Sequence, residues 1–243
     1  TRILLDAGWN PDYMAKRFTA TGVDRLLAEG KIAFLYISHE HLDHLWGIEA
    51  VLRLAPEIPI LIPGTFSDDG IAWIRGASFP AAGIVNRCPH RGPIYRMQPG
   101  GVHRLMDGVA SVTFDLPILL DIRGEQSMYF NVIDKGLVCV TGCCHQGVIN
   151  LVDYAITHIE TGQQVYGLYG GLHIAPFTTI SAEQAETVRA LGHYGFGKIA
   201  ANHCTGAEAI ALMRQLGYPM VAGSGRDGSS GTDHPGNGDV VRF

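Results

Sequence analysis

Short apolar runs closed by glycine or proline, several followed by apolar residues at helical spacing, set the pattern of this chain. Ile3-Leu4-Leu5 reads as a first strand ending in the turn Asp6-Ala7-Gly8. Residues 9–31 are mixed, with a helix predicted near 24–29 and closed by Gly30. Residues 32–37 read as a buried strand. Leu45, Ile48, Val51, Leu52 and Ala55 then recur with helical period until Pro56 stops them, and Ile60-Leu61-Ile62 is the next strand. Periodicity fades over residues 65–104, apart from 71–74, which predicts an inserted cap or loop.

From residue 109 the strand pattern returns at 111–114, 128–133 and 137–140, with Asp134-Lys135-Gly136 as a hairpin turn. Three strand-then-helix repeats follow. Residues 137–141 precede the helical spacing of Val148, Leu151, Val152, Ala155 and Ile156. Residues 165–169 precede a helix opened by Ser181 with Gln184 at the capping-box position. Residues 198–201 precede a helix opened by Thr205 with Glu208 in the same relation. Residues 223–238 read as loop and Val240-Val241 as a short last strand. The alternation predicts an α/β protein whose sheets are covered by helices.

Composition narrows this picture. The 243 residues are 47% hydrophobic and 17% charged, which suits a single sizeable domain over residues 1–243. A net charge of −5 argues against a nucleic-acid binder, because neutralising phosphates takes clustered Lys and Arg. No apolar run is long enough to cross a bilayer. Cys88, Cys139, Cys143, Cys144 and Cys204 contain no Cys-x-x-Cys, and their odd number points to a reducing compartment, the cytoplasm. The chain opens at Thr1 directly on a strand, so we expect earlier residues to be missing from this numbering.

The chemistry concentrates where predicted strands end. His39-Glu40-His41-Leu42-Asp43-His44 follows the strand at 32–37 and packs three imidazoles and the Asp43 carboxylate into six positions. These are donors that borderline and harder divalent metals prefer. The later strand ends carry Gly142-Cys143-Cys144-His145, Gly170-Gly171-Leu172-His173 and Asn202-His203-Cys204. Ligands at the carboxyl ends of neighbouring strands can converge although far apart in sequence. The donors exceed what one tetrahedral ion needs, so two ions are the economical reading, most simply zinc, with manganese and iron as alternatives. His90 and His103 are expected at the surface, and Arg87, Arg91, Arg96 and Arg104 could form a basic lid over an anionic substrate.

The Asp6-Ala7-Gly8 opening, the His39–His44 run, His145 and His203 resemble the metallo-β-lactamase superfamily, over nearly the whole chain. Within it, Thr141–Gly147, Gly170–His173 and Asn202–Gly206 resemble the subgroup related to the methanogen dihydropterin–ribofuranosylaminobenzene 5'-phosphate synthase. The resemblance implies an αββα sandwich of two mixed sheets with helices outside. It also implies that His39, His41 and His145 hold one metal, and Asp43, His44 and His203 a second. The expected reaction is attack by metal-activated water on a small anionic substrate, with Asp43 orienting the nucleophile and His173 meeting leaving-group charge. A synthase- or lyase-like reaction on a phosphorylated pterin-related substrate and a non-catalytic metal-binding module are the alternatives. The sequence departs from the superfamily at Gly142-Cys143, where a bridging Asp commonly stands. Cys143 is left as a thiolate ligand or a packing residue, with water alone as the bridge in the second case. His173 is left between the metals, the substrate and a structural role. Oligomeric state is not encoded in any pattern found here.

Overall fold

The computed structural model describes residues 1–79, 84–159, 164–177, 179–226 and 228–243. The chain divides into two compact units, one comprising Thr1–Gly101 with Thr113–Gln126, the other Val102–Val112 with Ser127–Phe243.

The first unit opens with β1 (Ile3–Leu5), α1 (Pro11–Thr21), α2 (Val23–Ala28), β2 (Phe34–Tyr36) and α3 (Leu42–Leu45). A 3-10 turn (Trp46–Ile48) joins α3 to α4 (Glu49–Leu52), and β3 (Ile60–Pro63), α5 (Asp68–Ile74), β4 (Ser78–Phe79), β5 (Ile84–Val85) and β6 (Ile94–Met97) follow. Its sheet has the order β1-β2-β3-β6, and every pair is parallel. Such a sheet is covered on both faces, which is why Phe34, Leu35, Tyr36, Ile60, Leu61 and Ile62 are apolar without alternation and all buried. Each such aliphatic side chain contributes about 1.5–3 kcal/mol by leaving water. The mixed stretch before residue 24 contains α1, whose weak apolar periodicity hid it. Its ends are nonetheless written in the residues: the Asn10 side chain accepts from the backbone N–H groups of Asp12 and Tyr13, Pro11 starts the helix, and Gly22 closes it at φ 75°. Residues 65–104 hold more regular structure than their sequence suggested, since β6 extends the parallel sheet and α5 is capped by Ser67.

The second unit draws its strands from β7 (Val102–Met106), β8 (Val109–Pro117), β9 (Arg123–Val132), β10 (Gly136–Thr141), β11 (Val165–Gly171) and β12 (Lys198–Asn202). Their order is β12-β11-β10-β9-β8-β7. β10, β11 and β12 run parallel, while β9 pairs antiparallel with β10 and β7 antiparallel with β8. The β9–β10 hairpin turns where expected, with Asp134 at φ 61° and Gly136 at φ 120°. Helices α6 (Val148–His158), α7 (Ala182–Ala190) and α8 (Ala207–Gln215) alternate with the parallel strands. Leu151, Val152, Val188, Ile199 and Met213 are completely buried among them. Ser181 and Gln184 form the predicted capping box. Thr205 and Glu208 do not: Gly206 is the N-cap of α8 and makes no side-chain cap. Thr205 is instead buried, accepting from the Leu172 N–H at 3.0 Å, while Glu208 accepts from the Ile180 N–H at 2.8 Å. Both oxygens were taken by tertiary donors. Val240-Val241 does not form a strand, and Val240 is exposed.

Candidate metal centre

The first unit supplies a compact ligand loop. β2 ends at Tyr36, and His41, in extended conformation at φ −65° and ψ 150°, is the N-cap of the short α3. His39, His41, Asp43 and His44 therefore leave one strand–helix junction together. Nε2 of His39 lies 2.9 Å from Nδ1 of His41, and the His39 and His44 ring centroids are 4.2 Å apart.

Behind them stands Asp6, which the sequence had presented only as part of a turn. Asp6 sits at a strained φ of 56° just beyond β1 and accepts from the Ser38 N–H at 2.7 Å and the Ser38 hydroxyl at 2.8 Å. It also holds Nδ1 of His44 at 2.6 Å. Because the Ser38 proton goes to Asp6, Ser38 Oγ can accept from Nδ1 of His39, 2.9 Å away. A neutral His39 then carries its lone pair on Nε2. Carboxylate and hydroxyl thus fix the orientation of two imidazoles. Burial works against a charged His44, but the charge and hydrogen bond of Asp6, helped by Asp43 and Glu125, raise its pKa to about 9. A metal at Nε2 of His44, which lies 3.5 Å from Asp43, must therefore displace a proton.

Glu40 faces elsewhere. Its carboxylate accepts from the Ser67 N–H at 2.8 Å and from the Ser67 hydroxyl, while Ser67 Oγ accepts from the Gly70 N–H and so caps α5. Glu40 also lines a cavity of about 430 Å³ with Trp46, Thr65, Trp73, Ile122 and Arg123.

The second unit supplies its candidates from three strand ends. The His145 and His173 ring centroids lie 4.4 Å apart with their planes tilted by 44°, both residues half-buried, and His203 is exposed in a 3-10 turn (His203–Thr205) after β12. His173 and His203 are strained at φ 44° and 49°. A buried chain braces the turn between β10 and His145: Gln146 donates to Ser127, which donates to Thr141 at 3.0 Å. Cys204 donates to the carbonyl of Cys143 at 3.4 Å. Hydrogen bonding with Cys143 lowers its pKa against the opposing effect of burial, with His173 and His203 adding to the fall. Cys139 is plain core, and burial pushes its thiol up.

One expectation about the periphery fails. His90 is buried rather than at the surface: Nε2 donates to the Ile58 carbonyl at 2.7 Å and Nδ1 faces Arg75. Arg96 and Arg104, expected in a basic lid, engage the Phe66 carbonyl and Asp107 respectively.

Imidazole donors oriented by Asp6 and Ser38, with the Asp43 carboxylate beside His44, fit a divalent ion. A scan against protein-family models finds no match. The chain is 27% identical over 223 residues to the 7,8-dihydropterin-6-methyl-4-(β-D-ribofuranosyl)-aminobenzene-5'-phosphate synthase of Methanocaldococcus jannaschii, covering 76% of this chain and 70% of that protein. Among solved structures it is similar to Tm1679, a metal-dependent hydrolase of the β-lactamase superfamily, at TM-score 0.60 and 20% identity over 90% of this chain and 84% of that one. It is also similar to Zn²⁺-bound PqqB from Methylobacterium extorquens, at TM-score 0.58 and 12% identity over 96% of this chain and 81% of that one. With two sheets, their helices and these likenesses, the chain has the fold of the metallo-β-lactamase superfamily.

Proposed function

We propose that this protein is a metal-dependent enzyme of hydrolase type acting on a small anionic, phosphorylated substrate. The observation that carries the reading is the His39–His44 loop with Asp6 and Ser38 behind it, because two imidazoles oriented through buried acceptors serve ligation better than packing. In this reading His39, His41 and His145 hold one divalent ion, and Asp43, His44 and His203 another, zinc being the first choice and manganese or iron the others. Such ions supply Lewis acidity, bringing the pKa of water near neutrality and offsetting anionic charge.

The chain's own residues do the rest. Asp43, half-buried beside His44, orients the nucleophilic water and takes its proton. Asp6 keeps Nδ1 of His44 occupied so that Nε2 remains the ligating edge. His173, its ring 4.4 Å from that of His145, offers a proton donor to the leaving group. The cavity beside Glu40 offers aromatic walls, Trp46 and Trp73, for the substrate body. We place the enzyme in the cytoplasm. Among the described residues no helix is long and apolar enough to cross a membrane.

The similarity to the methanogen synthase favours a second reading, a synthase- or lyase-like reaction on a phosphorylated pterin-related substrate in which the metals stabilise an anion. Assaying simple phosphodiesters against a pterin with an aminobenzene-riboside phosphate separates the two. Turnover of the diesters, abolished by metal removal, supports the first reading. Turnover only of the pterin pair supports the second, and full activity in metal-free protein overturns both.

A further inference from the structure

The cavity beside Glu40 lies wholly within the first unit and has a volume of about 430 Å³. Two indoles, Trp46 and Trp73, give it flat apolar walls. Two of its lining side chains also carry polar atoms that find no partner among the described residues. Trp73 is only 4% exposed, yet its indole N–H donates to nothing, and the buried Thr65 hydroxyl is equally unpaired. Buried polar groups in native proteins are nearly always satisfied, so two orphans in one wall point to a ligand.

The opposite wall is held under strain. Leu120 and Asp121 occupy the left-handed region at φ 64° and 57°, in a turn closed by the Ile118 N–H donating to the Ile122 carbonyl at 2.8 Å. Both residues line the cavity. Its charge then selects among ligands. Arg123 is paired with Asp115 at 2.5 Å and Glu40 is committed to Ser67, which leaves Asp69 and Asp121 to set the sign. These carboxylates repel an anion. A hydrocarbon or a simple cation offers no acceptor to the Trp73 N–H. A flat, uncharged nitrogen heterocycle offers ring acceptors to one wall and N–H donors to the carboxylates.

We propose that this cavity is the specificity pocket for such a ring, stacked on Trp46, accepting from Trp73 and Thr65 and donating to Asp69 or Asp121. This rests on the reading above, in which metal ions take the anionic end of the substrate and the cavity takes its body. A small turn of either Trp73 or Thr65 brings its polar atom to the lining surface. Gly124, at φ 83°, makes room for Thr65, since a Cβ there would fall 2.0 Å from the hydroxyl oxygen.

2-Aminopurine, excited beyond the tryptophan band, tests the proposal on metal-free protein. Its fluorescence should be quenched as protein is added, and purine should compete while naphthalene-2-sulfonate should not. Trp73→Phe keeps an aromatic wall but removes the donor, and should weaken binding roughly 3–10-fold. Thr65→Val, nearly isosteric, should weaken binding by a similar factor without lowering the unfolding midpoint, because the free protein loses no hydrogen bond. It also carries the test if Trp73→Phe does not fold. Quenching without hydrolysis of any phosphate ester supports the pocket and sinks only the hydrolase reading. No quenching, unaltered affinity in the folded variants, or tighter binding of naphthalene-2-sulfonate overturns the pocket.

Discussion

The two units solve the problem of assembling donors in opposite ways. In the first, four candidate ligands leave a single junction between β2 and α3, and their spacing is local. In the second, Cys143, His145, His173, His203 and Cys204 come from the ends of three parallel strands separated by helices. A local loop can be read from the chain but depends on something behind it to fix its rings. A dispersed set is placed first by the hydrogen-bonded register of the sheet, and the Gln146–Ser127–Thr141 chain braces only the turn to His145. What each fears is therefore different: the loop fears loss of its orienting acceptors, the strand ends fear any added bulk.

The largest expected effects test whether the loop is indispensable. His41→Ala or Asp43→Ala should remove metal and lower activity by on the order of 10³-fold or more, with circular dichroism unchanged. Elemental analysis against activity decides it, and retained metal with retained activity would break the comparison. Next comes the brace. Asp6→Asn keeps the size of the side chain but removes the charge from His44 and Ser38, and metal affinity should fall about 10–100-fold. Competition with a chromophoric chelator measures it. For the strand ends, Gly171→Ala should cost about 1–3 kcal/mol in denaturant unfolding, since neither the Gly142 carbonyl nor the Cys204 sulfur can easily yield.

The smallest effect belongs to a histidine outside both sets. Burial, with Arg75 adding to it, holds His90 below its ordinary value of 6.5 despite the hydrogen bond to Ile58. The neutral ring donates to one carbonyl and faces the Arg75 guanidinium, so protonation sets two positive groups together. The stability this contributes is present above about pH 6.5 and is lost as pH falls through the lowered value. His90→Gln should flatten the acid side of a Tm–pH curve, and an unchanged slope would count against this role for His90.

The candidate ligands of the first unit were legible because residue type and spacing alone marked them, and the strand-end histidines because the chain repeats strand, small residue, histidine. Asp6 was not legible as a ligand-orienting residue: a lone Asp before Ala-Gly reads as a turn, and its partners Ser38 and His44 are 32 and 38 positions away. Thr205 and Glu208 misled for the converse reason, as the local capping pattern was complete while tertiary donors claimed both oxygens. Residues 65–104 were opaque because β6 takes its place through pairing with β3, which no local period announces.

Glu40 carries a last consequence. Positioned between two histidines of the run, it is tied to Ser67 and through it to the first turn of α5, where Gly70 leaves no space for a side chain. Anyone redesigning the wall of the neighbouring cavity will find that positions 40, 67 and 70 behave as one mechanical part. They should be varied together or held fixed, because slack introduced at any one of them is passed on to the spacing of His39 and His41.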